Sequence, residues 1–210
     1  MATPISLKEI EKKTYTDFFK DGLYEILFAH IMLTGMLSSI LNENGVSDII
    51  RASIYVPVMF LGILIVYLGK RHITTPRLGT VKFATERKRK IRKLHIITFI
   101  FVALTFYLAV SAMTANLNRN LPVSFLIPLF LFSFFAIAAW YKDYPRLYII
   151  GFFYAISEVI YVFLENKGIV MGRGLLAYGV PGLMILIMGI LSLFKFLKKY
   201  PKIEIGAPNE

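Results

Sequence analysis

Two signals that decide the fold meet in residues 54–83, which read IYVPVMFLGILIVYLGKRHITTPRLGTVKF. The first half of this stretch belongs to an uncharged apolar run at 52–69, and the second half becomes basic from Lys70 onward. A helix needs about 20 apolar residues to cross about 30 Å of hydrocarbon. The stretch therefore predicts a transmembrane helix that ends in a loop beside the membrane.

Five more apolar runs of similar length lie at 23–41, 94–115, 121–139, 147–164 and 175–194. The whole chain is 57% hydrophobic with a mean hydropathy of +0.64, whereas soluble domains are about 45–50% apolar. Helices are favoured because no water satisfies backbone N–H and C=O groups inside a bilayer. We therefore predict an all-α integral membrane bundle with six transmembrane helices. A cytoplasmic amphipathic segment at 1–22 would precede the membrane domain at 23–197, and a tail at 198–210 would follow it.

Basic residues are distributed unevenly between the two sides of such a bundle. Twenty of the 24 lysines and arginines lie in the N-terminal segment, the loop at 70–93, the turn after the fourth run and the C-terminal end. The other four are Arg51, Arg119, Lys167 and Arg173. Because cytoplasmic loops carry the excess of Lys and Arg, we expect both termini in the cytoplasm of a multi-pass plasma-membrane protein. The first apolar run starts only at residue 23, after a mixed-charge segment, so we expect no cleavable signal peptide.

The segment after the second run predicts a sharp turn. Proline cannot continue a helix, and it pushes the preceding Thr75 toward extended geometry. Proline is favoured at the second position of a tight turn and glycine near its end, so Pro76 and Gly79, three residues apart, predict such a turn, and TVKF at 80–83 is predicted to be extended. The cations of this loop have two interpretations. They are anchors at the cytoplasmic face, or they bind anionic lipid headgroups through Arg77, Lys82, Arg87, Lys88, Arg89 and Lys90.

Two polar residues stand out inside the apolar runs. At 1.5 Å of rise per residue, His30 lies about 12 Å and Glu158 about 16 Å from the same face of the membrane. An ionised carboxylate at that depth is costly, so Glu158 is expected to face the bundle interior, either paired or protonated, with His30 as the candidate partner. The pair predicts a solute or proton site, and the structural alternative is an interhelical hydrogen bond.

Signatures of catalysis are missing from the sequence. The chain has no cysteine and its three histidines are far apart, and the phosphate-binding, dinucleotide-binding and HExxH motifs do not occur. We therefore predict no catalytic residues, no metal site and no cofactor, although missing motifs do not exclude an enzyme. The expected partners are the lipid bilayer and its anionic lipids. A membrane-protein partner remains open, and nucleic acid is not expected.

Two segments carry a resemblance to a known family. DGLYEI at 21–26 and ITTPRLGTVKF at 73–83 resemble an uncharacterised family of small prokaryotic multi-pass membrane proteins. The resemblance covers the first third of the chain and implies no activity, so no functional residue follows from it. Two functions remain. One is transport of a small solute or proton through the mid-membrane polar site. The other is an accessory role, in which the basic cytoplasmic face binds anionic lipids or a larger complex.

Overall fold

A computed structural model describes residues 15–79, 85–114 and 123–201, without the side chains of 85–86, 105–114 and 123–125. These ranges are helical and contain no strand. Their six long helices are α1 (Leu23–Glu43), α2 (Asp48–Gly69), α3 (Thr85–Thr114), α4 (Val123–Lys142), α5 (Arg146–Asn166) and α6 (Val180–Lys199). The all-α prediction is confirmed for this part of the chain.

Four helical stretches in the described ranges are long and apolar enough to cross a membrane. They are Tyr15–Glu43, Asp48–Leu78, Arg146–Asn166 and Leu175–Lys199, and Leu126–Lys142 is a shorter apolar helix. Large apolar side chains on these stretches are exposed; Phe60, for example, is 66% exposed and Phe194 is also 66% exposed. An extended apolar surface of this kind marks contact with a membrane or with another protein. The helices are therefore compatible with an integral membrane protein.

The chain divides into two compact units, residues 1–82 with 182–210, and residues 83–181. In the first unit, α1 packs against α2 through glycines on α2. A Cβ built on Gly62 would lie 2.3 Å from Cδ2 of His30, and one on Gly69 would lie 2.9 Å from Leu23. Small residues at helix crossings let backbones approach closely in membrane proteins. Gly62 and Gly69 therefore set the distance between these two helices.

The contact between α1 and α6 follows a seven-residue pattern. From Gly182 onward, the buried positions of α6 are 182, 185, 189, 192 and 196, with alternating spacings of three and four. On α1, the buried positions 25, 29 and 32 have the same spacings, which are typical of helices that pack side by side. A Cβ on Gly189 would lie 3.0 Å from Cβ of Glu25. The seam therefore presses the Glu25 side chain against the α6 backbone.

In the second unit, aromatic rings fill the space between helices. Phe101 of α3 stacks on Phe130 of α4 at 4.5 Å, and Phe135 of α4 lies 4.9 Å from Tyr154 of α5. Gly151 of α5 admits Phe135, because a Cβ on this glycine would lie only 2.5 Å from Cβ of Phe135. This packing defines the inward face of α5, which carries Gly151 and Tyr154.

The predicted tight turn at Pro76 is wrong. Residues Lys70–Thr74 form a π-helical turn and Thr75–Leu78 an α-helical turn, so the helical path continues past Pro76. Thr75 has helical angles, φ −61° and ψ −43°, rather than extended ones. In a π turn, each hydrogen bond spans five residues instead of four. Because the π turn ends at Thr74, Pro76 lies in the first turn of a new helix, where no hydrogen bond from its nitrogen is needed. The path ends at Gly79, whose φ is 75°. The extended segment predicted at 80–83 lies outside the described residues.

The residues just before α1 are packed against protein. Tyr15, Asp17 and Phe19 are each less than 7% exposed, so this part of the segment packs within the first unit. The chain then turns into α1 at Gly22, which has φ 82°. A Cβ there would lie 2.2 Å from the carbonyl oxygen of Gly189. Both the backbone angle and the contact with α6 require glycine. The rest of the predicted amphipathic segment, 1–14, lies outside the described residues.

Candidate functional site

Glu158 lies on the inward face of α5, the same face as Tyr154 and Tyr161. Its side chain is half-buried, and its Oε1 accepts a hydrogen bond from the Tyr178 hydroxyl at 3.1 Å. Tyr178 belongs to a π-helical turn, Leu175–Gly179, that precedes α6. Such turns often occur at functional sites. This acid within the apolar helix α5 is therefore held by a neutral hydroxyl group.

From this hydrogen bond, a series of side-chain contacts continues toward the C-terminal end of α5. The Tyr178 ring lies 5.3 Å from the Tyr161 ring, and the guanidinium carbon of Arg173 lies 4.3 Å from the centre of the Tyr161 ring. Arg173 Nη1 is 3.2 Å from Oε1 of Glu165. Glu158, Tyr161 and Glu165 are three and four residues apart, so they lie along one face of α5. We call Glu158, Tyr161, Glu165, Arg173 and Tyr178 the acid–tyrosine cluster.

His30, the predicted partner of Glu158, has a hydrogen-bonding partner of its own in the first unit. Its Nε2 is 2.7 Å from the carbonyl oxygen of Val58 on α2, and its ring lies against Gly62. Because a carbonyl only accepts, Nε2 is the protonated nitrogen of this imidazole. The contact is an interhelical hydrogen bond, but it joins α1 to α2, whereas the structural alternative for His30 was a hydrogen bond between the first and fifth helices. Its pairing with Glu158 stays a prediction.

A buried row of carboxylates lies at the end of the first unit where α1 begins. Asp17, Asp21 and Glu25 are four residues apart and are 6%, 0% and 0% exposed. Lys70 Nζ lies 2.6 Å from Oδ2 of Asp21, and the same oxygen accepts a hydrogen bond from Thr74. A buried, hydrogen-bonded ion pair of this kind is rigid, because breaking it would leave a charge without compensation.

The same carboxylates connect the segment 15–22 to the residue after α6 and to the end of α2. Tyr200, after α6, donates a hydrogen bond of 2.9 Å to Asp17 Oδ2, and Lys20 Nζ lies 2.8 Å from Asp17 Oδ1. Lys70 also contacts the Phe18 ring, 4.1 Å from its centre. Cations and hydroxyl groups therefore surround Asp17 and Asp21, and the arrangement fastens the segment 15–22 to α2 and α6. Among the described residues, no group of three His, Asp or Glu could hold a metal ion.

The predicted headgroup-binding residues differ in whether they contact other groups of the protein or lie exposed on α3. Arg77 Nη1 donates to its own backbone, the carbonyl of Ile73, at 2.9 Å. Arg87 and Lys90 lie 3.3 Å and 3.5 Å from Oδ2 of Asp143. A second set of cations lies on the exposed side of α3, namely Lys88, Arg89, Arg92 and Lys93. Lys82 lies outside the described residues. Lys88 and Arg89 are therefore the predicted binding residues that point to solvent.

Sequence reasoning missed Tyr178, Tyr161 and Arg173. Arg173 reads as an ordinary outer-loop cation, yet it is 7% exposed. Tyr178 is twenty residues from Glu158 and lies beyond a loop, so no helical spacing connects the two. The three carboxylates are four residues apart in the sequence, but the turn at Gly22 interrupts the helix between them, so helical spacing alone would not have placed them together.

Comparisons with protein-family models, with curated proteins and with solved structures return no match. The class of protein therefore rests on the helices themselves. They define an α-helical chain with at least four stretches suited to crossing a membrane, within the ranges that the structure describes.

Proposed function

We propose that the chain is a six-span plasma-membrane protein with both termini in the cytoplasm, and that it couples movement of a small solute to a proton carried by Glu158. The number of spans and their direction rest on the six apolar runs and on the uneven distribution of lysine and arginine. The proton-carrying role rests on one observation, the hydrogen bond between Glu158 and Tyr178.

That hydrogen bond supports proton exchange because its donor is neutral. A carboxylate paired with a buried cation is fixed as an ion pair, and protonating it would strand the cation. Tyr178 donates to the carboxylate of Glu158 at 3.1 Å, and the same hydroxyl can accept from the protonated acid, since a phenolic O–H both donates and accepts. Glu158 therefore keeps a partner in both protonation states. A carrier needs this property, because its acid must gain and lose a proton in each cycle.

Labelling by dicyclohexylcarbodiimide tests the proposal, because this reagent modifies protonated carboxyl groups in apolar surroundings. Purified protein is sealed in liposomes with pH 5 inside and pH 9 outside, and in a second preparation the two values are exchanged. Peptide mass spectrometry then measures the modified fraction of Glu158. An acid that exchanges protons with both sides is labelled to an intermediate extent in both preparations.

The matched control is Glu165→Gln, which changes the other acid on the same face of α5 and should leave labelling at residue 158 intact. Glu158→Gln should remove it. If the modified fraction of Glu158 follows the pH on one side only, the acid has access to that side only. Reference preparations with pH 5 on both sides and with pH 9 on both sides give the upper and lower limits of labelling for an acid that exchanges protons. If the modified fraction of Glu158 is the same in these references as in the two gradients, the acid is structural. Either outcome overturns the proposed proton carrier.

A second candidate function is an accessory role at anionic membranes. The exposed cations of α3 at 88–89 and 92–93 are followed on the exposed side by Ile96 and Phe99, which are 55% and 74% exposed. A change from charge to apolar surface along one helix is typical of a membrane boundary, where lysine and arginine reach the headgroups. This surface supports lipid binding and is independent of Glu158.

A further inference from the structure

We propose that Arg173 binds the carboxylate of a small monocarboxylate, and that this anion is the solute whose movement Glu158 couples to a proton. The inference rests on the proposed function and names its substrate class. The site consists of Arg173, Tyr161 and Glu165, with Glu158 and Tyr178 below them, all within the second unit.

Arg173 is placed for ligand binding rather than for contact with solvent. The residue is 7% exposed, and a buried guanidinium is costly unless its N–H groups are compensated. One ion pair is present, from Nη1 to Oε1 of Glu165 at 3.2 Å. The Nε–H of Arg173 is buried and makes no hydrogen bond to the described part of the chain. Because a guanidinium fork fits a carboxylate with two parallel hydrogen bonds, the single contact leaves half of that fork open.

Glu165 shows which ligand chemistry fits this arginine. Its side chain is 55% exposed whereas that of Arg173 is 9% exposed, so solvent reaches the acid of the ion pair and weakens the pair from that side. The Glu165 carboxylate can therefore exchange with a carboxylate from solution. A free monocarboxylate that displaces Glu165 enters by the exposed position of that carboxylate, and a small turn of the guanidinium lets it contact Nε and Nη1 together, which the tethered Glu165 does not do. The Glu165 carboxylate thus occupies the position that the carboxylate of the ligand would take.

The surroundings of Arg173 favour a ligand that carries a single negative charge. The guanidinium lies over the Tyr161 ring at 4.3 Å, which fixes its plane and excludes water from one face. Arg173 also lies at the start of the helical stretch that includes Leu175–Lys199, and the N-terminal end of a helix attracts anions. A monocarboxylate bound here carries one negative charge, and protonated Glu158 carries one proton for it. The pair that crosses the membrane is then electrically neutral.

Saturation-transfer NMR with sodium propionate tests this site, because propionate has the carboxylate and chain of a glutamate side chain. The signal is recorded on the purified full-length protein in detergent, with sodium chloride added to keep ionic strength constant. We expect saturable binding to the wild type. Glu165→Gln removes the competing carboxylate and should strengthen propionate binding at least about twofold, as expected for a weak ion pair whose acid is exposed.

Two variants of Arg173 distinguish binding from folding. Arg173→Gln should abolish the propionate signal. Arg173→Lys keeps the charge and the pair with Glu165 but lacks the planar fork, so it should bind about tenfold more weakly in a folded protein. Lys167→Gln is the matched control, because Lys167 is an exposed cation at the end of α5, and binding should not change. Propionate binding that is absent from both the wild type and Glu165→Gln, or that survives in both Arg173 variants, overturns the site.

This measurement is separate from the test of the proposed function. It is made at equilibrium without a gradient and with Glu158 intact. If propionate does not bind but the labelling of Glu158 responds to pH on both sides, the proton carrier stands and the monocarboxylate is wrong. If propionate binds and the labelling ignores pH, Arg173 is an anion site without proton coupling.

Discussion

Replacement of Gly62 by alanine tests whether His30 is a structural residue that holds α1 against α2. The added Cβ would lie 2.3 Å from Cδ2 and 2.9 Å from Nε2 of His30, so the imidazole must move away from the carbonyl of Val58, which it contacts at 2.7 Å. Overpacking costs about 1–3 kcal/mol, and a hydrogen bond between membrane helices contributes about 0.6 kcal/mol. Alanine regains about 1 kcal/mol of helix propensity.

The balance is a loss of about 0.6–2.6 kcal/mol in the free energy of unfolding. For a chain of this size, it should lower the melting temperature by about 1–10 °C, measured by thermal unfolding of the purified protein in detergent. Gly35→Ala is the matched control, because a Cβ at Gly35 meets no atom within 4 Å. That substitution should leave the melting temperature unchanged or raise it.

A double-mutant cycle assigns the loss to the imidazole. In a protein that already carries His30→Ala, the ring that Gly62→Ala would displace is gone. The second substitution should then be neutral or stabilising, with a coupling free energy of about 1–3 kcal/mol, within the range for residues in direct contact. Equal destabilisation by Gly62→Ala with and without His30 would refute the structural role of the histidine.

Two further predictions concern the membrane. A cysteine at Lys88 should be labelled by an impermeant reagent only from the cytoplasmic side and one at Asn44 only from the opposite side, following the uneven distribution of cations; labelling of residue 88 from outside would reverse the proposed orientation. Replacing Lys88 and Arg89 together by glutamine should reduce co-purified anionic lipid, at about 1 kcal/mol per close charge. The same change at Arg87 and Lys90, which have a carboxylate partner, should have a smaller effect, and equal effects would contradict the assignment of the exposed face.

Composition and length were sufficient to predict the helices, because membrane-spanning runs are defined by transfer of apolar surface from water. The run at 147–164 falls within α5, for example, which is Arg146–Asn166. The path of the chain at Pro76 was not predictable in the same way. A proline stops an α-helix by steric clash, but the preceding π turn at Lys70–Thr74 changes the local geometry. No residue pattern in the sequence announces that turn.

The depth of Glu158 identified it as the central residue of the candidate site, since a carboxyl group inside an apolar helix must find a partner. Its partner could not be chosen by depth alone. His30 matched in depth, whereas Tyr178 becomes a neighbour of Glu158 only because the loop after α5 and the π turn bring it back to the same face. Such a contact depends on loop geometry, which the pattern of apolar residues does not determine.

The chemistry of the partner decides what each buried acid can do. Asp21 is fully buried and bonded to the Lys70 ammonium at 2.6 Å, so removing its negative charge would leave a cation behind, and the acid is suited to fastening helices. Glu158 is bonded to a neutral phenol at 3.1 Å, so it can change its charge while keeping a hydrogen bond. We therefore propose opposite roles for the two acids: the lysine fixes Asp21 as a structural group, and the hydroxyl group allows Glu158 to exchange its proton.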